Sequence, residues 1–139
     1  MEPQKSHIEI SWAPDILTDL SAFCMEQLDP LGDDQLNLAV QLVVEELVTN
    51  IFNYGYERLD GTVDITIEVD SGFVTLTIRD QSLEFNPFLI VPEGTDPSEG
   101  GRGLSLVRRL TETTLYERTS EGENILTCIF PRSTGSPDS

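Results

Sequence analysis

Glu46, Asn50 and Asn53 are spaced i, i+4 and i+7 within VVEELVTNIFNYGY, the stretch from Val43 to Tyr56. At about 100° per residue, a helix over this stretch sets the three along one line. That line flanks an apolar face built from Val40, Val43, Val44, Leu47, Val48 and Ile51 instead of opposing it. A carboxylate and two amides on one wall can hold a hydrated divalent cation and orient a nucleophile. An amphipathic helix with one solvated side explains the same pattern without any ligand. Asn53-Tyr54-Gly55-Tyr56 closes the stretch with a glycine stop.

A second candidate lies further on. Gly100-Gly101-Arg102-Gly103 runs straight into Leu104 to Leu110, which has helical character. A glycine-rich turn feeding a helix N-terminus aims backbone amides and the helix dipole at an anion. A flexible hinge has the same composition. Arg108 and Arg109 complement the far end of that helix.

The elements that must position these residues are legible from periodicity. Ser6 to Ala13 alternates Ile8, Ile10 and Trp12 and predicts a first strand. The only histidine, His7, falls there, on the strand surface and without partners for a metal site. Pro14-Asp15 opens a helix that carries Ile16, Leu17, Leu20, Phe23, Cys24 and Leu28, and Asp29-Pro30-Leu31-Gly32 stops it. Asp33 or Asp34 caps the next helix, which runs into the opening stretch. Val63, Ile65, Ile67 and Val69 alternate with polar residues, Asp70-Ser71-Gly72 predicts a hairpin, and Phe73 to Asp80 returns. Gln81 to Gly100 has three prolines and no period, as expected of a functional lid or a disordered segment. Thr113 to Arg118 and Asn124 to Pro131 predict a closing hairpin. The expected architecture is a two-layer α/β sandwich: a mixed, largely antiparallel sheet with three helices on one face. One domain over residues 1–132 and a frayed tail at 133–139 complete the expectation.

The chain has 139 residues and a net charge of -17, from 25 acidic and 8 basic residues. Such a balance argues against nucleic acid and against anionic membranes as partners. A basic protein partner suits it better. No apolar run approaches a membrane span, and the first residues lack a signal-peptide core. Cys24 and Cys128 are expected as free, buried thiols in a cytoplasmic protein.

The order of the motifs carries more than any one of them. From about Ile8 to Phe130 the chain resembles the GHKL (Bergerat-fold) ATPase domains. Among these it is most similar to the stand-alone serine/threonine kinases of the RsbW/SpoIIAB anti-sigma-factor type. Glu46-Leu47-Val48-Thr49-Asn50 looks like the N box. The resemblance implies Glu46 as general base and Asn50 as Mg²⁺ ligand, with Asn53 beside them at the nucleotide. Asp80-Gln81-Ser82 with Phe85-Asn86-Pro87 looks like the first glycine box. Asp80 would accept a hydrogen bond from the adenine amino group, and Ser82 stands where the family usually has Gly. Gly101-Arg102-Gly103-Leu104-Ser105-Leu106 looks like the second glycine box, whose amides reach phosphates. Ser105 replaces a residue that is often Gly, and Tyr54 one that is often His. Arg102 would reach a phosphate oxygen or face water. Thr127 matches a strand threonine that helps to hold adenine; a core-facing threonine is the alternative.

The resemblance thus implies ATP and Mg²⁺ as cofactors and phosphoryl transfer to a serine on a STAS-domain anti-anti-sigma protein. A sigma factor is the alternative partner, and a second copy of the chain a further one. Two rivals stay open: a degenerate module that binds nucleotide and partners without transfer, and a small stand-alone ATPase.

Overall fold

The computed structural model describes residues 3–55, 61–84, 86 and 106–132. Strand β1 (Gln4–Ser11) is followed by helix α1 (Ile16–Leu28), a 3₁₀ turn (Asp29–Leu31) and helix α2 (Asp34–Asn50). Strands β2 (Thr62–Val69), β3 (Phe73–Asp80), β4 (Thr113–Arg118) and β5 (Asn124–Pro131) complete a five-stranded sheet in the order β1-β2-β3-β5-β4. Residues 106–110, before β4, are helical. Among the described residues every strand pairing is antiparallel, so the expected mixed sheet is here purely antiparallel.

Alternation decides which face is covered. Val63, Ile65, Ile67 and Val69 on β2, Val74, Leu76 and Ile78 on β3, and Leu126, Cys128 and Phe130 on β5 are all buried. They meet Leu20, Phe23, Cys24 and Leu28 of α1, Val40, Val43, Val44, Leu47 and Val48 of α2, and Val107 in one core. The opposite face carries threonines and charges, as a sheet with one wet side requires. His7 lies on that wet side, 2.9 Å from Asp64 Oδ1. Strand β1 begins and ends two residues earlier than the periodicity predicted. Its eight residues pair in full with β2, from Gln4 opposite Val69 to Ser11 opposite Thr62.

Local signals explain the ends of the elements. Asp33 caps α2, its side chain accepting from Leu36 N at 3.0 Å. Asp70 Oδ1 accepts from the backbone N–H groups of Gly72 and Phe73, both at 2.8 Å, which fixes the β2–β3 turn. The same two bonds hold the Asp70 carboxyl below its usual range. Gly122, with φ +87°, makes the β4–β5 turn, a conformation that a Cβ disfavours. Among the described residues no helix is long and apolar enough to cross a membrane.

Candidate functional site

Helix α2 delivers the first part of the site. Leu47 and Val48 are fully buried, so the helix is clamped on the sheet and its flank is fixed. On that flank Glu46 and Asn50 are half-buried, one turn apart, and Asn50 Nδ2 donates to Glu46 Oε1 at 3.4 Å. The amide turns its nitrogen to the carboxylate and leaves its oxygen as the acceptor end.

The expected single α-helix to Tyr56 is corrected just beyond Asn50. A π-helical turn, Ile51–Gly55, takes over there. Apolar pairs recur every four residues along this segment: Val43 and Val44, Leu47 and Val48, Ile51 and Phe52, all buried. At about 100° per residue Ile51 still falls on the face of Val40, Val44 and Leu47, so the core contact is kept up to the point where the wider turn begins. Such wider turns are frequent at functional sites. Asn53 rides on this turn and is exposed, apart from the half-buried pair.

Strand β3 delivers the second part. Asp80 is its last residue and points to the core face, in phase with Ile78. The carboxylate is buried, and its two oxygens have different fates. Oδ1 accepts from Ser82 N at 2.9 Å, from the Ser82 hydroxyl, and from Asn124 Nδ2 at 3.1 Å. Oδ2 is buried and has no hydrogen-bond partner among the described residues. An unpaired buried acceptor is costly, so such atoms are rare unless something supplies a donor. A ligand that brings an N–H group meets that need.

Around this carboxylate is a network that sequence reasoning missed. Asn124, the first residue of β5, lies opposite Asp80 in the strand register and is 1% exposed. Its Nδ2 lies 3.1 Å from Ser82 Oγ and 3.0 Å from the Leu83 carbonyl. Its Oδ1 accepts from Tyr116 Oη at 2.7 Å and Arg118 Nη1 at 3.1 Å. The same guanidinium nitrogen donates to the Ser82 carbonyl at 2.9 Å. Burial raises the Tyr116 hydroxyl above its usual range, with Glu84 next, against a lowering by Arg118 and with a smaller rise from Asp80. Tyr116 therefore stays a donor to Asn124.

Thr127 is not brought to this cluster. It pairs with Thr77 and Leu115 and lies between the buried Leu126 and Cys128. Strand alternation sends it to the opposite face of the sheet from Asp80. Both sequence readings of Thr127 are corrected: it neither faces the core nor stands beside Asp80, where β5 places Asn124. Ser82 is buried at the cluster, and its hydroxyl donates to the Asp80 carboxylate. Gly101, Arg102, Gly103 and Leu104, with Phe85 and most of the expected lid, lie outside the described residues.

A family model described as the histidine kinase-like ATPase domain matches residues 13–130. The chain belongs to this family. Its relatives include an anti-sigma F factor of Clostridium botulinum, 33% identical over 101 residues, which is 68% of this chain and 69% of that protein. Another, an anti-sigma F factor of Halalkalibacterium halodurans, is 41% identical over 58 residues, or 41% of this chain and 38% of the relative. The fold is similar to the histidine kinase domain of a blue-light activated histidine kinase from Erythrobacter litoralis. The TM-score is 0.52 at 20% identity, over 84% of this chain and 60% of that one. It is also similar to the Acinetobacter baumannii histidine kinase AdeS, with TM-score 0.50 at 15% identity, over 92% of this chain and 68% of that one. At such identities the likeness shows the two-layer fold, and the histidine kinase-like ATPase domain is assigned from the family match.

Proposed function

We propose that this histidine kinase-like ATPase domain is an ATP- and Mg²⁺-dependent protein serine/threonine kinase acting as an anti-sigma-factor-type switch. Its substrate would be a serine of a STAS-domain antagonist, and its alternative partner a sigma factor. The observation that carries the reading is the buried Asp80 carboxylate, with Oδ1 taken up by Ser82 and Asn124 and Oδ2 left unpaired among the described residues. The exocyclic amine of adenine is a donor of the kind Oδ2 lacks. The names of the anti-sigma F relatives support the regulatory part.

ATP, when bound, supplies the phosphoryl group, and Mg²⁺ neutralises charge on its phosphates. Among the described residues no cluster of three or more His, Cys, Asp or Glu is present. Mg²⁺ keeps several waters and takes few protein ligands; Asn50 would be one of them. Glu46, one turn away, would take the proton from the attacking serine hydroxyl. Asp80 orients the base, and the amides of Gly101 to Leu104, with Arg102, would face the phosphates.

One observation favours a second reading, a nucleotide- and partner-binding module without transfer. The Ser82 side chain lies against Asp80, where the family usually has no side chain. Calorimetry with Mg-ATP followed by single-turnover transfer to a STAS protein separates the two. Binding with transfer supports the kinase, binding alone supports the module, and no binding at millimolar nucleotide removes both.

A further inference from the structure

The Asn124 amide is held in one orientation from both ends. Its nitrogen faces two groups that can only accept, Asp80 Oδ1 at 3.1 Å and Leu83 O at 3.0 Å, and the Ser82 hydroxyl oxygen at 3.1 Å. Its oxygen accepts from Arg118 Nη1 at 3.1 Å, which can only donate, and from the Tyr116 hydroxyl at 2.7 Å. A flipped amide would set nitrogen against the Arg118 guanidinium, which can only donate, and oxygen against a carboxylate and a carbonyl, which can only accept. The side chain therefore has no polar group left to offer a ligand. What it does is grip Asp80 and the chain just after it.

That grip has a chemical consequence. A carboxylate at a strand end can turn about its terminal torsion, which is broad and roughly two-fold. Here Asn124 and Ser82 both pull on Oδ1, so the turn is blocked and Oδ2 alone is presented. Arg118 adds a bond to the Ser82 carbonyl, and Asn124 one to the Leu83 carbonyl, so the backbone beside the carboxylate is fixed by the same clamp.

We propose that Asn124, oriented by Tyr116 and Arg118, is the positioning residue that makes Asp80 select a base carrying an exocyclic amine over one carrying a carbonyl at the same place. The proposal rests on the nucleotide reading of the site. Asn124 acts through Asp80 and does not touch the base. Selectivity arises because a fixed acceptor leaves a carbonyl ligand facing a carboxylate oxygen with no proton between them. A buried polar group left unpaired in this way is what lets a site reject a close analogue.

The test compares ATP with inosine triphosphate, which has a carbonyl in place of the adenine amine, and with inorganic tripolyphosphate. Affinities are measured by calorimetry with Mg²⁺ on the whole chain and on Asn124→Ala and Tyr116→Phe. The wild-type chain is expected to prefer ATP to inosine triphosphate by about 10-fold or more, the worth of one hydrogen bond to a charged group. Asn124→Ala should bring the two within about 3-fold while leaving tripolyphosphate affinity unchanged. Tyr116→Phe removes one donor to Asn124 without opening the core, and should give an intermediate ratio. A merely structural role would lower ATP and inosine triphosphate together and keep their ratio. An unchanged ratio in both variants overturns the proposal. If Asn124→Ala does not fold, the Tyr116→Phe ratio decides alone. Wild-type chain that binds tripolyphosphate but does not discriminate the bases overturns the inference and leaves phosphate binding standing. Wild-type chain that binds none of the three removes the nucleotide reading and this inference with it.

Discussion

Asp80 and Asn124 face each other across the β3–β5 ladder, with Asn124 Nδ2 3.1 Å from Asp80 Oδ1. Two strand ends thereby build one acceptor. The sheet register sets the pair, and the packed core behind Ile78 and Leu126 keeps the register. A one-residue slip of either strand would turn its member of the pair to the wet face.

Asp80→Asn keeps the size and replaces an acceptor oxygen by a donor nitrogen. Adenine nucleotides are expected to weaken by about 10- to 100-fold, the range for losing a hydrogen bond to a charged group. Tripolyphosphate affinity should hold, because the carboxylate is assigned to the base. Parallel calorimetric titrations of both ligands check this, and equal losses would contradict the assignment.

Much of the fold is written in two periods. Strict alternation in β2 and β3, the Asp70 turn and the Asp33 cap all carry local chemistry, so they read directly. Three features did not. The π turn at Ile51–Gly55 begins after a stretch whose apolar positions fit an ordinary α-helix, so periodicity alone does not show it. Thr127 was placed by motif, although Leu126 and Cys128 on either side put it out of phase with the core. Asn124 was missed because its importance is a cross-strand fact: its partner Asp80 is 44 residues away. Counting in steps of two from Leu126 would have put Asn124 on the covered face.

Gly122 has φ +87° in the turn that sets β4 against β5. The nearest atom to an added Cβ there is Arg118 Nη2 at 3.5 Å, an ordinary contact, so the cost is conformational. Gly122→Ala should destabilise the domain by about 1 to 2 kcal/mol, as a left-handed residue with a Cβ does. Urea unfolding of the variant beside the wild type measures it. A change under a few tenths would show that the turn relaxes.

Burial pushes the Cys24 and Cys128 thiols up to about 12, from an ordinary 9.0, with Glu45 adding to the effect at Cys24. The folded state thus keeps both protons where the unfolded chain releases them. The unfolded state binds fewer protons above pH 9, so stability falls as pH rises. The contribution is full below about pH 9 and is lost progressively toward pH 12. The urea midpoint should drop between pH 8 and 10.5, and less so in a Cys24→Ala, Cys128→Ala chain. At pH 8, iodoacetamide should modify the folded protein far more slowly than the urea-unfolded one.

Glu46→Gln keeps the shape of the α2 flank and removes the carboxylate proposed as the base. Glu46 Oε1 accepts from Asn50 Nδ2 at a long 3.4 Å, and the Gln oxygen can take the same bond. Stability should therefore move by less than roughly 0.5 kcal/mol, as for most surface changes. Nucleotide affinity should stay within a few-fold, since Asp80 and Asn50 are intact. If Glu46 takes the proton from the attacking serine, transfer should fall by about 10²- to 10⁴-fold, the usual worth of a positioned general base. Single-turnover transfer from labelled ATP to a STAS protein, beside nucleotide affinity on the same samples, makes the measurement. Near-native transfer would return Glu46 to a solvated helix flank. Loss of nucleotide binding together with transfer would make Glu46 a support for Asn50, because the only bond between them runs from the amide to this carboxylate among the described residues. Loss of transfer alone, with partner binding retained, would identify the proton acceptor and leave a switch held in its bound state.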